Sequence, residues 1–236
     1  MNLKKIALVG LALLAIQCGS KSDKGSSETL ALLALAGQGQ SPGISGIYAS
    51  VIGGGGAGGG GAGALTSTTA VSPFAILEQT YPCKKGGTME LNGDVQIVGL
   101  STILYNGVNQ TYNACTRSMP VLGTGTTNSI DMTINGTILM DGEQQSTVDP
   151  DSTQQNPKFT MNQVIRLRSS DYNVNGFAYP TFDLTFTRTN AKLSIENFGD
   201  IETATVSITE TVLVVGTIGG EVVNSTFSYS AKYDAF

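Results

Sequence analysis

The chain has no histidine. That absence removes the side chain that most often serves as a general base, the partner in Ser-His-Asp and Cys-His arrangements, and the commonest zinc ligand. Cysteine is scarce as well, with three in 236 residues: Cys18, Cys83 and Cys115. No G-x-S-x-G elbow and no S-x-x-K stands in the C-terminal two thirds. Charged residues make up only 13% of the chain and the net charge is −5, so there is no basic patch to attract nucleic acid. The longest apolar run, Ile6–Ile16, has 11 residues, whereas a helix needs about 20 to cross a bilayer.

Carboxylate catalysis of the glycosidase kind would need two acids about 5–9 Å apart in one cleft. The one dense acidic stretch is Asp149-Pro150-Asp151, near Asp141 and Glu143. It lacks the D-x-D-x-D-G spacing of a calcium loop and reads as a solvated turn. The expectation is a protein without a catalytic residue, a metal site or a cofactor.

What is present begins at the N-terminus. Lys4 and Lys5 precede the apolar run, and Gln17, Cys18, Gly19 and Ser20 follow it. A basic start, a short apolar run and a polar break form an export signal. The box Ala15-Ile16-Gln17-Cys18 resembles the site at which bacterial lipoproteins are cut by the lipoprotein signal peptidase. The common pattern is Leu, a small residue, then Gly, Ala or Ser, then Cys. Ala15 and Gln17 depart from it, and such a loose box is similar to those of spirochaetal lipoproteins. The resemblance covers about twenty residues. It implies cleavage before Cys18, acylation of Cys18, a lipid bilayer as partner, and an envelope location. Gly19, where Asp would imply inner-membrane retention, points to the outer membrane.

Lipidation of Cys18 also accounts for an odd cysteine in an exported chain. It leaves Cys83 and Cys115, which can pair in an oxidising compartment. Removing residues 1–17 takes Lys4 and Lys5 from the 13 basic residues and none of the 18 acidic ones, moving the net charge from −5 to −7. Lipid alone would then hold the protein at the membrane.

Composition divides the remainder. Residues 18–70 read as a lipidated tether and Gly-rich linker, with a possible short helix at 28–36 (ETLALLALA) and loop-like sequence over 37–46. The run GGGGAGGGGAGA at 53–64 has no Lys or strand–helix context for phosphate and reads as a linker. As a coil, the 55 residues from Gly19 to Pro73 would span about 40 Å.

Residues 71–236 alternate with period 2. Ile130, Met132 and Ile134 alternate with polar residues, as do Phe182, Leu184 and Phe186, and Phe227, Tyr229 and Ala231. The pattern predicts strands over 94–105, 110–118, 128–140, 158–169, 180–188, 191–198, 202–216 and 221–234, and a polar loop over 143–157. Turn signals lie at Asn92-Gly93, Asn106-Gly107, Asn135-Gly136, Asp141-Gly142, Asn175-Gly176 and Gly219-Gly220. Asn135-Gly136 falls within a predicted strand and suggests a bulge. The fold class is all-β: an antiparallel sandwich, or a curved, partly closed, barrel-like sheet. A transmembrane barrel fits less well, because Phe236 is out of phase with Phe227, Tyr229 and Tyr233.

Two functional expectations follow. The first is a lipid-anchored module whose β domain binds a protein or another envelope or host component. The second is a small-ligand or lipid carrier with an apolar cavity in a half-open barrel. Tyr172, Phe177 and Tyr179, around Asn175-Gly176, would either pack on the core rim or form an aromatic ligand patch.

Overall fold

The computed structural model describes residues 43–53, 76–98, 101–120, 129–198 and 203–234. Among the described residues, ten strands form one antiparallel sheet: β1 (Ile76–Pro82), β2 (Thr88–Val98), β3 (Thr102–Pro120), β4 (Ser129–Val148), β5 (Lys158–Ser169), β6 (Asn173–Val174), β7 (Phe177–Ala178), β8 (Phe182–Glu196), β9 (Thr205–Ile218) and β10 (Glu221–Asp234). The order is β1-β2-β3-β4-β5-β8-β9-β10, with the β6–β7 hairpin attached to β4. It is a meander: apart from β6–β7, each strand pairs with the next. β1 and β10 do not pair with each other, yet the sheet curls until β10 approaches β3. The result is one continuous antiparallel sheet curled over its core like a half-open sandwich, the all-β class that the alternation predicts.

The alternation sets the inner face. Phe182, Leu184, Phe186 and Arg188 of β8 are buried, as are Val206, Ile208, Glu210, Val212 and Val214 of β9. The residues between them are mostly Thr and Ser and stay partly or fully exposed. One face is thus buried and the other wet, as period 2 in an antiparallel sheet requires.

The hairpin signals divide into two kinds. Asn175-Gly176 and Gly219-Gly220 are true two-residue turns, with φ of 52° and 82° in one and 60° and 87° in the other. Positive φ at both positions is what a type I′ hairpin demands. Asn92-Gly93, Asn106-Gly107 and Asp141-Gly142 instead lie inside β2, β3 and β4. The predicted loop 143–157 is likewise strand up to Val148, where Val148 pairs with Phe159. The predicted strand 94–105 is the end of β2 and the start of β3, paired Val98 to Thr102. Strands 180–188 and 191–198 are one, β8. The sequence marked irregular points correctly there but misjudged them as chain reversals.

Asn106-Gly107 is a bulge in β3, with Asn92-Gly93 and Asp141-Gly142 on the strands that flank it; one device satisfies this bulge and two others. The register shifts around Asn106-Gly107 and Asn113-Ala114 in β3 and around Thr189-Asn190 in β8. Each bulge holds a residue with positive φ: Gly107 at 60°, Ala114 at 47° and Asn190 at 54°. Its N–H leaves the ladder and donates to an Asx side chain on the neighbouring strand. Gly107 N reaches Asp141 Oδ1 at 2.7 Å, Ala114 N reaches Asn135 Oδ1 at 2.8 Å, and Asn190 N reaches Asn162 Oδ1 at 2.8 Å. A bulge bends and twists its strand, and each amide that it takes out of the ladder finds its acceptor in one of these side chains. Asn135-Gly136 therefore answers a bulge on the opposite strand.

Cys83 and Cys115 form a disulfide, with Cα atoms 5.4 Å apart. It ties the β1–β2 turn to β3 beside the Ala114 bulge. Backbone bonds reinforce it: Thr116 N donates to Gly86 O at 2.8 Å and Lys85 N to Thr116 O at 2.9 Å. Closing a loop with this separation of 32 residues is worth about 3.7 kcal/mol in the chain-entropy account.

The core also holds a segment that the sequence reading left in the tether. A five-residue helix, α1 (Ile44–Tyr48), runs into a π-helical turn, Ala49–Gly53. Ile44, Ile47, Tyr48, Ala49 and Val51 are 0–2% exposed and belong to the same apolar cluster as β3, β8 and β9. The expected tether at 18–70 thus includes a stretch of core. The physical reason is legible in hindsight: Ile44, Ile47, Tyr48 and Val51 stand at i, i+3, i+4 and i+7, one apolar helical face. The possible helix at 28–36 lies outside the described residues.

Asn162→Ala tests the bulge device. It removes the acceptor of the Asn190 amide without touching the core, and we expect a loss of about 1 kcal/mol in urea unfolding with an unchanged m-value.

Candidate functional site

The inner face of the sheet carries more polar chemistry than an ordinary β core. In β9 the apolar phase Val206, Ile208, Val212 and Val214 is interrupted by Glu210, and in β8 the phase of Phe182, Leu184 and Phe186 ends in Arg188. These two side chains meet. Arg188 Nη1 lies 3.1 Å from Glu210 Oε2, and the side chains are 2% and 0% exposed. The second carboxylate oxygen accepts from Tyr48 of α1, whose hydroxyl is 2.6 Å from Glu210 Oε1. The Tyr48 ring packs against Phe186 at 5.3 Å and edge-on against Phe227 at 5.6 Å.

A second polar cluster lies at Ser50. Arg117 of β3, 8% exposed, donates from Nη2 to the Ser50 carbonyl. The Tyr172 hydroxyl donates to Ser50 Oγ at 2.6 Å, and Ser50 Oγ donates to the Ile47 carbonyl at 2.9 Å. The Arg117 guanidinium also stands 5.6 Å from the centre of the Tyr112 ring. Two further pairs complete the interior. Tyr112 donates to Gln110 Oε1 at 2.6 Å, and Gln163 Nε2 to Gln144 Oε1 at 3.1 Å.

Burial governs the tyrosines here. It pushes the Tyr105 hydroxyl up to about 12, against a smaller opposing pull from Arg188. Tyr112 is raised by the same desolvation, partly offset by the charge and hydrogen bond of Arg117. Tyr172 and Tyr179 are raised well above the ordinary tyrosine value, again chiefly by burial. All four are therefore neutral hydrogen-bonding groups at physiological pH. A buried tyrosinate would be needed for them to act as bases.

The aromatic residues singled out in the sequence pack inward. Tyr172 and Tyr179 are 1% and 4% exposed. Phe177 stacks edge-on against Tyr179 at 5.1 Å, and Tyr179 lies 5.8 Å from Tyr172. Of the two roles expected for them, they take the one at the core rim. The acidic turn is also spoken for. Asp149 accepts from Thr160 Oγ1 at 2.5 Å and from Lys192 Nζ at 3.2 Å, and Asp151 accepts from Lys158 Nζ at 2.5 Å. Hydrogen bonds from Thr160 and Lys158, respectively, hold both carboxyls below their usual range. Among the described residues no three His, Cys, Asp or Glu side chains gather into a metal-holding group. Cys18 lies outside the described residues.

The sequence reading missed Tyr48, Ser50, Arg117, Arg188 and Glu210. A signal did exist for the last two: opposite charges standing on the apolar phase of two strands that follow one another. No family of known proteins matches this chain, and neither a characterised protein nor a solved structure resembles it.

Two outcomes check the site. Glu210→Gln leaves the Arg188 charge buried without its counter-ion and should cost about 3–5 kcal/mol in urea unfolding. Replacing both by Met should regain most of that loss, since the desolvation penalty of both ions disappears together. The tyrosines set an alkaline limit. Their folded-state pKa values lie above the unfolded value of about 10, so the native state holds protons that the unfolded chain releases. Stability should be intact below pH 10 and fall between pH 10 and 12. The fall is up to about 1.4 kcal/mol per pH unit for each buried tyrosine. Absorbance at 295 nm should show these tyrosines ionising together with the loss of circular dichroism, not before it.

Proposed function

We propose that this chain is an exported lipoprotein held at the cell envelope by acylated Cys18, in the outer membrane. Its β domain is a non-enzymatic module that binds a protein or another envelope or host component without covalent chemistry. The N-terminal sequence supports the anchor, through its basic start, its 11-residue apolar run and the box ending in Cys18. The Cys83–Cys115 disulfide supports export, because such bonds persist in oxidising compartments.

One observation carries the choice of a binding module over a carrier. A carrier needs an internal cavity of about 300 Å³ or more. Here Ile44, Ile47, Tyr48 and Val51 pack into the core on the inner face of the sheet, and Ile47 and Val51 have no exposed surface. That packing supports a binding module over a carrier.

Growth with radioactive palmitate tests the anchor. The wild-type chain should take up label and Cys18→Ser should take up none. Label that persists in the variant would sink the lipoprotein reading. Protease added to intact cells then tests display: loss of the β domain places it outside, and protection places it facing the periplasm.

A further inference from the structure

We propose that the concave face of the sheet is a peptide-recognition site, which Ile44–Gly53 occupies as an intramolecular ligand. The same segment of a second copy can occupy it in trans. The proposal rests on reading the domain as a binding module and gives that module a site and a partner. It does not depend on the acylation of Cys18.

Four observations carry it. First, the segment is held like a bound peptide. It belongs to no strand, and its polar partners are far away in the chain: Glu210 is 162 residues from Tyr48, Tyr172 is 122 from Ser50, and Arg117 is 67 from Ser50. Second, the helix cannot stand alone. Five α-helical residues followed by a π turn are far below the length at which an isolated helix forms in water. The sheet imposes the conformation, as a groove does on a peptide. Third, the sheet reads the segment by side chain. Tyr48 enters between Phe186 and Phe227 and meets the Arg188–Glu210 pair, while two residues on Ser50 meets Tyr172 and Arg117. Ile44, Ile47 and Val51 fill the apolar floor around them. The motif recognised is Ile-x-x-Ile-Tyr-x-Ser-Val.

The fourth observation is the chain between this segment and β1. Residues 54–75 include eleven consecutive Gly and Ala positions, 54–64, with no side chain larger than a methyl group. Twenty-two residues reach at most about 75 Å when extended, enough to enter either their own sheet or a neighbour's. A short linker of this kind presents its ligand at an effective concentration in the millimolar range. Copies held close together compete with that figure, and exchanging an identical element between protomers is a low-cost route to a dimer.

The test uses the full chain with a protease site substituted into residues 55–61 and a fluorescein-labelled synthetic peptide spanning 43–53. Uncut protein should bind the peptide at least ten-fold more weakly than cut protein. After cutting and a one-day chase with hundred-fold excess peptide, the labelled peptide should replace the native segment while the β-sheet circular dichroism persists. Peptides carrying Tyr48→Ala or Ser50→Ala should each bind at least ten-fold more weakly. The uncut double variant Tyr48→Ala/Ser50→Ala should accept the wild-type peptide without any cutting. Hydrogen exchange on the intact wild-type protein gives an independent reading, with amides of 44–53 exchanging at least a hundred-fold faster than those of β8 and β9. If the chase introduces no label, or if 44–53 exchanges only at the global rate of β8 and β9, the segment is an integral part of the core and the proposal falls. Trans occupancy is read by size exclusion, as a dimer fraction that rises with concentration for wild type and disappears in the double variant. Peptide binding with no dimer at any concentration would overturn the second copy as partner. None of these outcomes depends on palmitate labelling, so failure of the anchor reading would be seen separately.

Discussion

Glu210 places a full negative charge where its side chain has no exposed surface. A carboxylate in such a place costs several kcal/mol unless its oxygens are satisfied. One oxygen is met by Arg188 from the neighbouring strand and the other by Tyr48 from a segment 162 residues away. The sheet supplies Arg188, and the segment supplies Tyr48. The rest of the interior follows from this: Tyr48 brings α1 into the concave face, α1 brings Ser50 to Arg117 and Tyr172, and the flanking isoleucines and valine complete the apolar floor. A hydrophobic filling alone would tolerate several positions of the segment, since apolar contact is not directional. The two polar anchors define one.

Curvature is the second requirement, because a flat sheet would have no inner face for the segment. The three bulges supply bends in β3 and β8, and each extra residue is stabilised by an Asx side-chain oxygen from an adjacent strand. Where a side chain would strike the adjacent backbone, glycine stands instead. A Cβ on Gly216 would lie 2.0 Å from the Asp183 carbonyl oxygen. The disulfide ties the β1–β2 turn to β3, the strand that carries two of the three bulges, so the first hairpin cannot swing away from it.

Much of this was legible in the sequence, and the remainder has identifiable physical causes. Period 2 in β8 and β9 reveals strands with one buried face, since Phe182, Leu184 and Phe186 alternate with Asp183, Thr185 and Thr187. The pairing of Cys83 with Cys115 follows from counting cysteines once Cys18 is set aside. Bulges and turns, however, use the same dipeptides. Asn106-Gly107 and Asn175-Gly176 both supply positive φ, and only the neighbouring strand decides which of them reverses the chain. β4 beyond Asp141 was hidden because its inward residue is Gln144, which is satisfied by Gln163 across the ladder and not by apolar contact. The segment 44–53 was hidden by its surroundings: a glycine-rich context outweighed a correct i, i+3, i+4, i+7 pattern only eight residues long.

The meander has a consequence for the order of assembly. Nearly every strand pairs with the one made just before or after it, so the sheet can zip up hairpin by hairpin with little loop entropy to overcome. Ile44–Gly53 is the exception: it precedes every strand in the chain, but the partners of its Tyr48, Phe186, Glu210 and Phe227, lie on the last three strands. A part made before the strands is therefore fully seated only after the last of them. Until β9 exists, the Glu210 carboxylate that Tyr48 bonds is not yet there. The surface that holds Tyr48 is therefore complete only when the last three strands are in place.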